Sequence, residues 1–169
     1  MTGVTATADV LIVGAGPAGS FLSNLLARAG FDVVIIDKAT FPRDKVCGGG
    51  LSNKTVELLP FDISAIVHTR VTGAFLAYQN RDTVVKDMGD RSGIAVRRSE
   101  FDHFLLQKAT DAGSRFLGDT PFVSVAKTAD GVAVSTSRGV LRARYVVGAD
   151  GVFSAVRQCV FGRDLVSYA

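Results

Sequence analysis

Three stretches of the sequence combine residue types and spacings that could do chemistry. The first is Gly14-Ala15-Gly16-Pro17-Ala18-Gly19, set between an apolar run and a helical pattern. There Gly14 can make a tight turn, Gly16 can let backbone approach a pyrophosphate, and Gly19 can let a helix pack closely on a strand. A helix opening at Pro17 and Ala18 would turn free N–H groups and its positive dipole end toward phosphates. Asp37 closes the next apolar run about twenty residues on, where a carboxylate can accept ribose hydroxyls, and Lys38 follows it. A glycine motif alone is weak evidence; a strand before it, a helix after it and an acid in place give it weight. FAD and NAD both carry a free ribose 2′-hydroxyl, so the pattern predicts a dinucleotide without choosing one.

The second stretch is Gly148-Ala149-Asp150-Gly151, running on to Arg157. Asp-Gly is usually a turn, and Asp130-Gly131 in this chain is that plain case between two hairpin strands. Asp150-Gly151 instead ends an apolar strand, where α/β proteins place ligands. Asp150 can accept a ribityl or ribose hydroxyl there, and Gly151 permits backbone approach. The third stretch, Phe41 to Ser52, contains Cys47-Gly48-Gly49-Gly50; three glycines in a row let backbone lie against a ring with no Cβ between. Cys47 could adjust the electrostatics of a ring beside it or simply pack there, because a thiol that is not activated behaves as a small hydrophobe. His68 and His103 have no patterned partners, and both are expected to be structural or solvated. Cys47 and Cys159 lie far apart, in no metal-ligand spacing, and are expected to be two thiols rather than a disulfide.

The elements that must position these residues follow from periodicity. Val10 to Val13 and Val33 to Ile36 are continuous apolar runs, as strands buried on both faces show. Between them a helix is expected from Pro17 to Ala29, with Pro in its first turn and Gly30 past its end. Strand, helix and strand make a βαβ unit. Residues 38–53 read as a glycine-rich loop. Val71 to Tyr78 and Thr83 to Lys86 read as strands around the turn Asn80-Arg81-Asp82. Ser99 is expected to cap a helix, with Asp102 in the capping-box position, and Phe101, Phe104, Leu105, Ala109 and Ala112 on its apolar face. Phe122 to Lys127, Val132 to Ser135 and Val140 to Arg144 read as a three-stranded meander, after which Tyr145 to Val147 rejoins the parallel sheet.

Composition narrows the classes. With 47% hydrophobic and 21% charged residues in 169, the chain has the balance of a globular domain with a real core. A net charge of +3 with scattered Lys and Arg gives no nucleic-acid patch. No segment approaches the roughly 20 apolar residues of a membrane span, and no signal peptide is recognisable. A reduced cytoplasmic setting is expected.

The order GAGPAG, then Arg98 in Arg98-Ser99-Glu100-Phe101-Asp102, then GADGVFSAVR resembles the p-hydroxybenzoate-hydroxylase-like flavoproteins. The loop Phe41-Pro42-Arg43-Asp44-Lys45-Val46-Cys47-Gly48-Gly49-Gly50 is similar to that of the geranylgeranyl reductases within that class. The resemblance implies a Rossmann-like α/β FAD-binding domain with a mostly parallel sheet, an antiparallel β-meander crossover and part of a substrate-binding sheet. It implies FAD, with Arg43 touching the adenosine part, Arg98 near the pyrophosphate, Asp150 on the flavin side, and Cys47, Gly48 and Gly49 beside the flavin. It further implies hydride transfer from reduced flavin to prenyl double bonds, an isoprenoid or prenyl-lipid substrate, and peripheral membrane contact. NAD(P)H or ferredoxin would supply the electrons. Residues 1–8 are expected to be a loose tail and 9–169 the FAD-binding domain, with 60–97 opening an inserted substrate-binding region. A third flavin motif around Gly-Asp and most of the substrate sheet would belong to a further, C-terminal portion. The alternatives are a flavin monooxygenase or halogenase of the same fold, and a nucleotide-binding fragment without catalysis.

Overall fold

The computed structural model describes residues 7–79, 81–89 and 93–162. In chain order the elements are β1 (Thr7–Val13), α1 (Pro17–Arg28), β2 (Val33–Ile36), β3 (Gly50–Leu51) and α2 (Asn53–Glu57), then a 3-10 turn (Ser64–Ile66). Next come β4 (Val67–Val71), β5 (Gly73–Tyr78), β6 (Asp82–Asp87), β7 (Gly93–Val96) and α3 (Arg98–Asp111). The last are β8 (Arg115–Leu117), β9 (Phe122–Thr128), β10 (Gly131–Thr136), β11 (Gly139–Gly148) and α4 (Ala155–Phe161). They fall into two compact units, residues 1–43 with 102–169, and residues 44–101.

The first unit is built on a six-stranded sheet in the order β8-β2-β1-β11-β10-β9. The pairs among β8, β2, β1 and β11 are parallel, and β11-β10-β9 is an antiparallel meander. Side chains alternate across a strand, and here the alternation sorts two apolar layers. Val10, Ile12, Val33 and Ile35 face Leu22 and Leu26 of α1 and Leu106 and Ala109 of α3. Leu11, Val13, Val34 and Ile36 face Val134, Leu141 and Ala143 of the meander. Both faces of β1 and β2 are thereby covered, which is why neither run shows a polar alternation.

Several elements depart from the sequence-based expectation. Thr7 and Ala8 are not tail but the start of β1, in register with Arg142 and Ala143; residues 1–6 lie outside the described set. The expected loop 38–53 contains β3 and leads into α2, capped by the Ser52 side chain. Ser99 does not precede α3 but sits within its first turn, since the helix begins at Arg98. The meander's third strand and the returning strand are one ten-residue strand, β11. It pairs with β10 through residues 139–143 and with β1 through 142–148. Asn80 of the expected turn lies outside the described residues, while the Arg81 N–H donates to Tyr78 O at 3.0 Å.

The second unit holds the antiparallel sheet β3-β7-β4 and the separate hairpin β5-β6. Ile94 and Val96 of β7 are buried, whereas β6 is exposed along its whole length. His68 Nε2 lies 2.9 Å from Glu100 Oε2 in this unit. That contact holds the Glu100 carboxyl below its ordinary value, its hydrogen bond being the largest cause. Among the described residues no helix is long and apolar enough to cross a membrane.

Candidate cofactor site

The glycine-rich turn leaves β1 and enters α1 at the carboxyl end of the parallel strands. Gly14 has φ +104, and a Cβ there would stand 2.5 Å from Ala149 O, so two strand ends meet closely at this point. The Ala149 N–H donates to Val13 O at 2.8 Å, which joins the ends of β11 and β1. A Cβ on Gly19 would stand 1.9 Å from Gly14 O, so glycine is what seats α1 against the turn. Gly16 differs from both. A Cβ there would meet only Arg43 Nη2, at 3.7 Å. Pro17 is the first helical residue and needs no amide partner. The first amides of a helix lack intrahelical acceptors; here no side chain caps them and no acid lies in the first turn, where Ala18 is exposed.

Asp37 braces this turn from the end of β2. Its Oδ2 accepts the Ala15 N–H at 2.7 Å and its Oδ1 accepts the Ala39 N–H at 2.9 Å. A carboxylate has about four acceptor sites, so each oxygen keeps capacity for a hydroxyl. Lys38 is exposed beside it. Arg43 reaches the same place from the following loop. Its guanidinium carbon sits 4.8 Å from the Phe41 ring centre, and Nη2 lies 3.2 Å from Asp102 Oδ2. Asp102 is completely buried, while Arg43 Nη1 is buried with no hydrogen-bond partner. Buried donors are rarely left unsatisfied, so Nη1 marks a place where an acceptor fits.

Asp150 follows β11 and holds its own helix. Oδ1 accepts from Ser154 Oγ at 2.5 Å, and Oδ2 accepts the Ala155 and Val156 amides at 2.6 and 3.2 Å. Ser154 Oγ in turn accepts the Arg157 N–H at 3.0 Å, completing the start of α4. Gly151 has φ +88 and open space where a Cβ would project.

The structure thus gathers Gly14, Gly16, Pro17, Ala18, Gly19, Asp37, Lys38, Arg43, Asp150 and Gly151 in the first unit. Cys47, Gly48, Gly49 and Arg98 belong to the second. There Cys47 is exposed, with its sulfur 3.4 Å from the Gly49 N–H. Gly49 has φ +68 and packs so closely on Val96 O that a Cβ would stand 1.9 Å away, whereas Gly48 has open space. Arg98 is the first residue of α3 and half-buried. Cys47 and Cys159 are both thiols, and no metal-binding cluster occurs among the described residues. Asp102 was the residue whose role sequence reasoning missed. Its position shares a helical face with Leu105, Leu106 and Ala109, and a carboxylate on an apolar face signals a buried partner.

One cavity of about 270 Å³ lies elsewhere in this unit, lined in part by Phe116, Leu117, Thr120 and Arg138. It does not include the glycine-rich turn.

Fold and turn together define an α/β dinucleotide-binding domain. The chain belongs to the FAD-binding domain family, whose sequence model matches residues 7–163. A menaquinone reductase of Mycolicibacterium smegmatis is 36% identical over 166 residues, covering 92% of this chain and 40% of that protein. Digeranylgeranylglycerophospholipid reductase 1 of Methanothermobacter thermautotrophicus is 32% identical over 158 residues, 88% of this chain and 40% of that protein. A solved geranylgeranyl bacteriochlorophyll reductase-like protein of Thermoplasma acidophilum superimposes with a TM-score of 0.76 at 27% identity, covering 87% of this chain and 40% of that one. A rifampicin monooxygenase of Rhodococcus hoagii also matches, at 32% identity over 158 residues, 89% of this chain and 33% of that protein. The resemblance to the front portion of geranylgeranyl reductase-type flavoproteins therefore holds, and the chain spans at most about two fifths of these relatives. It is an FAD-binding domain.

Proposed function

We propose that this chain is the cofactor-holding part of an FAD-dependent reductase that saturates prenyl double bonds. The observation that carries it is the Cys47-Gly48-Gly49-Gly50 loop in a chain whose relatives include a digeranylgeranylglycerophospholipid reductase. When bound, reduced FAD would supply the hydride for such an addition, with the balancing proton coming from a nearby acid or water. The protein's part is binding and placement. Asp37 accepts the adenosine ribose hydroxyls on the acceptor sites its two amide contacts leave open. The uncapped start of α1, approached across Gly16, and Arg43 with its unsatisfied Nη1 take the pyrophosphate. Asp150 offers a ribityl hydroxyl what remains after its three bonds to the start of α4.

Lys38 adds positive charge beside Asp37, and the family resemblance gives Arg98 its role near the pyrophosphate. Gly48, being open, is the loop position suited to lie against a flat ring, and Gly49 is committed to holding the loop on β7. Cys47 adjusts the electrostatics of that ring. The second unit begins the substrate side, for an isoprenoid or prenyl-lipid chain drawn from a membrane surface, with NAD(P)H or ferredoxin as electron source.

The test is anaerobic. The full-length protein is incubated with dithionite-reduced FAD and a geranylgeranylated lipid, and hydrogen addition to the prenyl chain is followed by mass spectrometry. Hydrogenated product supports the proposal. A reaction that starts only when oxygen is admitted, giving hydroxylated or halogenated product, would install the monooxygenase or halogenase in its place. FAD uptake without turnover would leave a nucleotide-binding module.

A further inference from the structure

We infer that Asp102 is a positioning residue for the cofactor's diphosphate, acting through Arg43. The inference rests on the proposed FAD site and adds to it a group that does not touch the ligand. A guanidinium on a loop is flexible, and holding it in one orientation costs side-chain entropy. Here two features fix Arg43 before any ligand arrives. The guanidinium carbon sits over the Phe41 ring, 4.8 Å from its centre. Asp102 holds Nη2 from one side at 3.2 Å. The guanidinium so held lies beside the start of α1, with Nη2 3.7 Å from where a Gly16 side chain would begin.

Burial makes Asp102 the anchor. It is completely inaccessible on the apolar face of α3, so its carboxylate cannot follow the arginine to other positions. A buried carboxylate is expensive unless paired, so Asp102 and Arg43 hold each other in place. The orphaned donor supports this. Asp102 takes Nη2, yet Nη1 is buried and unsatisfied. The guanidinium therefore has one edge assigned to the protein and another held ready for an acceptor beside the helix start. Diphosphate oxygens are such acceptors, and arginine recognises them through its planar fork.

Charge and orientation predict opposite signs, which makes the role testable. As a charge alone, Asp102 repels an anion, and neutralising it would tighten binding. As an anchor for Arg43, it favours the anion, and neutralising it weakens binding. Loss of one well-placed charge-assisted hydrogen bond corresponds to about tenfold or more in affinity.

The experiment compares ADP with adenosine by NMR titration of the chain. Asp102→Asn should weaken ADP binding about tenfold and leave adenosine within roughly twofold. Arg43→Lys, which keeps the charge but loses the fork, should show the same selective loss. Adding Asp102→Asn to Arg43→Lys should cost little more, because the residue it positions is already gone. Arg43→Lys alone keeps the test open should the buried substitution unfold the chain: ADP affinity equal to the parent's would show that orientation is not needed, and would overturn the inference. So would equal or tighter ADP binding by Asp102→Asn, or an equal loss for adenosine. A parent chain that binds neither ligand would instead overturn the FAD site on which the inference rests.

Discussion

Alanine at Gly16 and alanine at Gly19 should fail in opposite ways. At Gly19 the new methyl would stand 1.9 Å from Gly14 O and 3.2 Å from Ile12 Cγ2. The first contact is with backbone, so no side-chain rotation relieves it, and α1 must lift from β1. Overpacking of this kind costs about 1–3 kcal/mol, occasionally more. Alanine returns about 0.5–1 kcal/mol through helix propensity. The clash wins, and a net loss of about 2 kcal/mol is expected. At Gly16 the methyl would meet one guanidinium nitrogen at 3.7 Å, an ordinary contact, in backbone with φ −71 that any residue adopts. Because Gly16 is the N-cap of α1, where alanine is less favourable than glycine, stability should fall by only about 0.5–1 kcal/mol. The methyl would, however, occupy the approach to the start of α1, and ADP affinity should fall about tenfold, equivalent to about 1.4 kcal/mol. Urea unfolding gives the stabilities and NMR titration the affinities. If Gly16→Ala unfolds as early as Gly19→Ala, the space above Gly16 is misjudged. If it is stable and binds ADP like the parent, the diphosphate does not pass there.

Three further outcomes are expected. Asp37→Ala should weaken FAD by about 1–3 kcal/mol, the range for unpaired buried partners; because it also strips the Ala15 and Ala39 amides of their acceptor, it should lower stability as well, and unchanged FAD affinity would remove Asp37 from the site. In the active reductase, Cys47→Ser should alter rate or product pattern more than FAD content, whereas a change in FAD content alone would contradict a role beside the ring. Glu100 should titrate below its ordinary 4.5, because His68 favours its charged form. With the folded value depressed, this contact's contribution is complete above the unfolded value and fades as pH falls through the folded one. An NMR midpoint at or above 4.5 in the parent would refute that contact, and His68→Ala should raise the midpoint toward the ordinary value, with Arg97 keeping a smaller depressing effect.

The parts of the fold that sequence made legible are those where a local signal and the tertiary environment agree. Pro17 and Gly30 bound α1 because each suits a helix end on its own terms, and Gly30 duly has φ +89. β1 and β2 show as unbroken apolar runs because helices cover one face and the meander the other. β8 was not legible, since three residues with an exposed Arg115 leave no period to read. β11 looked like two strands because periodicity reports burial and not pairing. Its pattern changes along its length while the backbone simply exchanges one neighbour for another.

The candidate site divides in the same way. Glycine spacing foretold Gly14 and Gly19, whose need for glycine is steric and local to the turn. Asp150 was legible as a strand-end acid but not as the acceptor that starts α4. Asp102 stood in a capping pattern that fits a helix start equally well. Only the packing of α3 shows that its carboxylate points inward to Arg43.

Amide chemical shifts during an ADP titration test the central claim most directly. Saturable shifts centred on Ala15, Gly16, Ala18 and Gly19, extending to Lys38 and Ala39 and moved to higher ADP concentration by Asp37→Ala, are predicted. Shifts confined to the cavity at Phe116, Leu117 and Thr120, or no saturable shift at all, would contradict it.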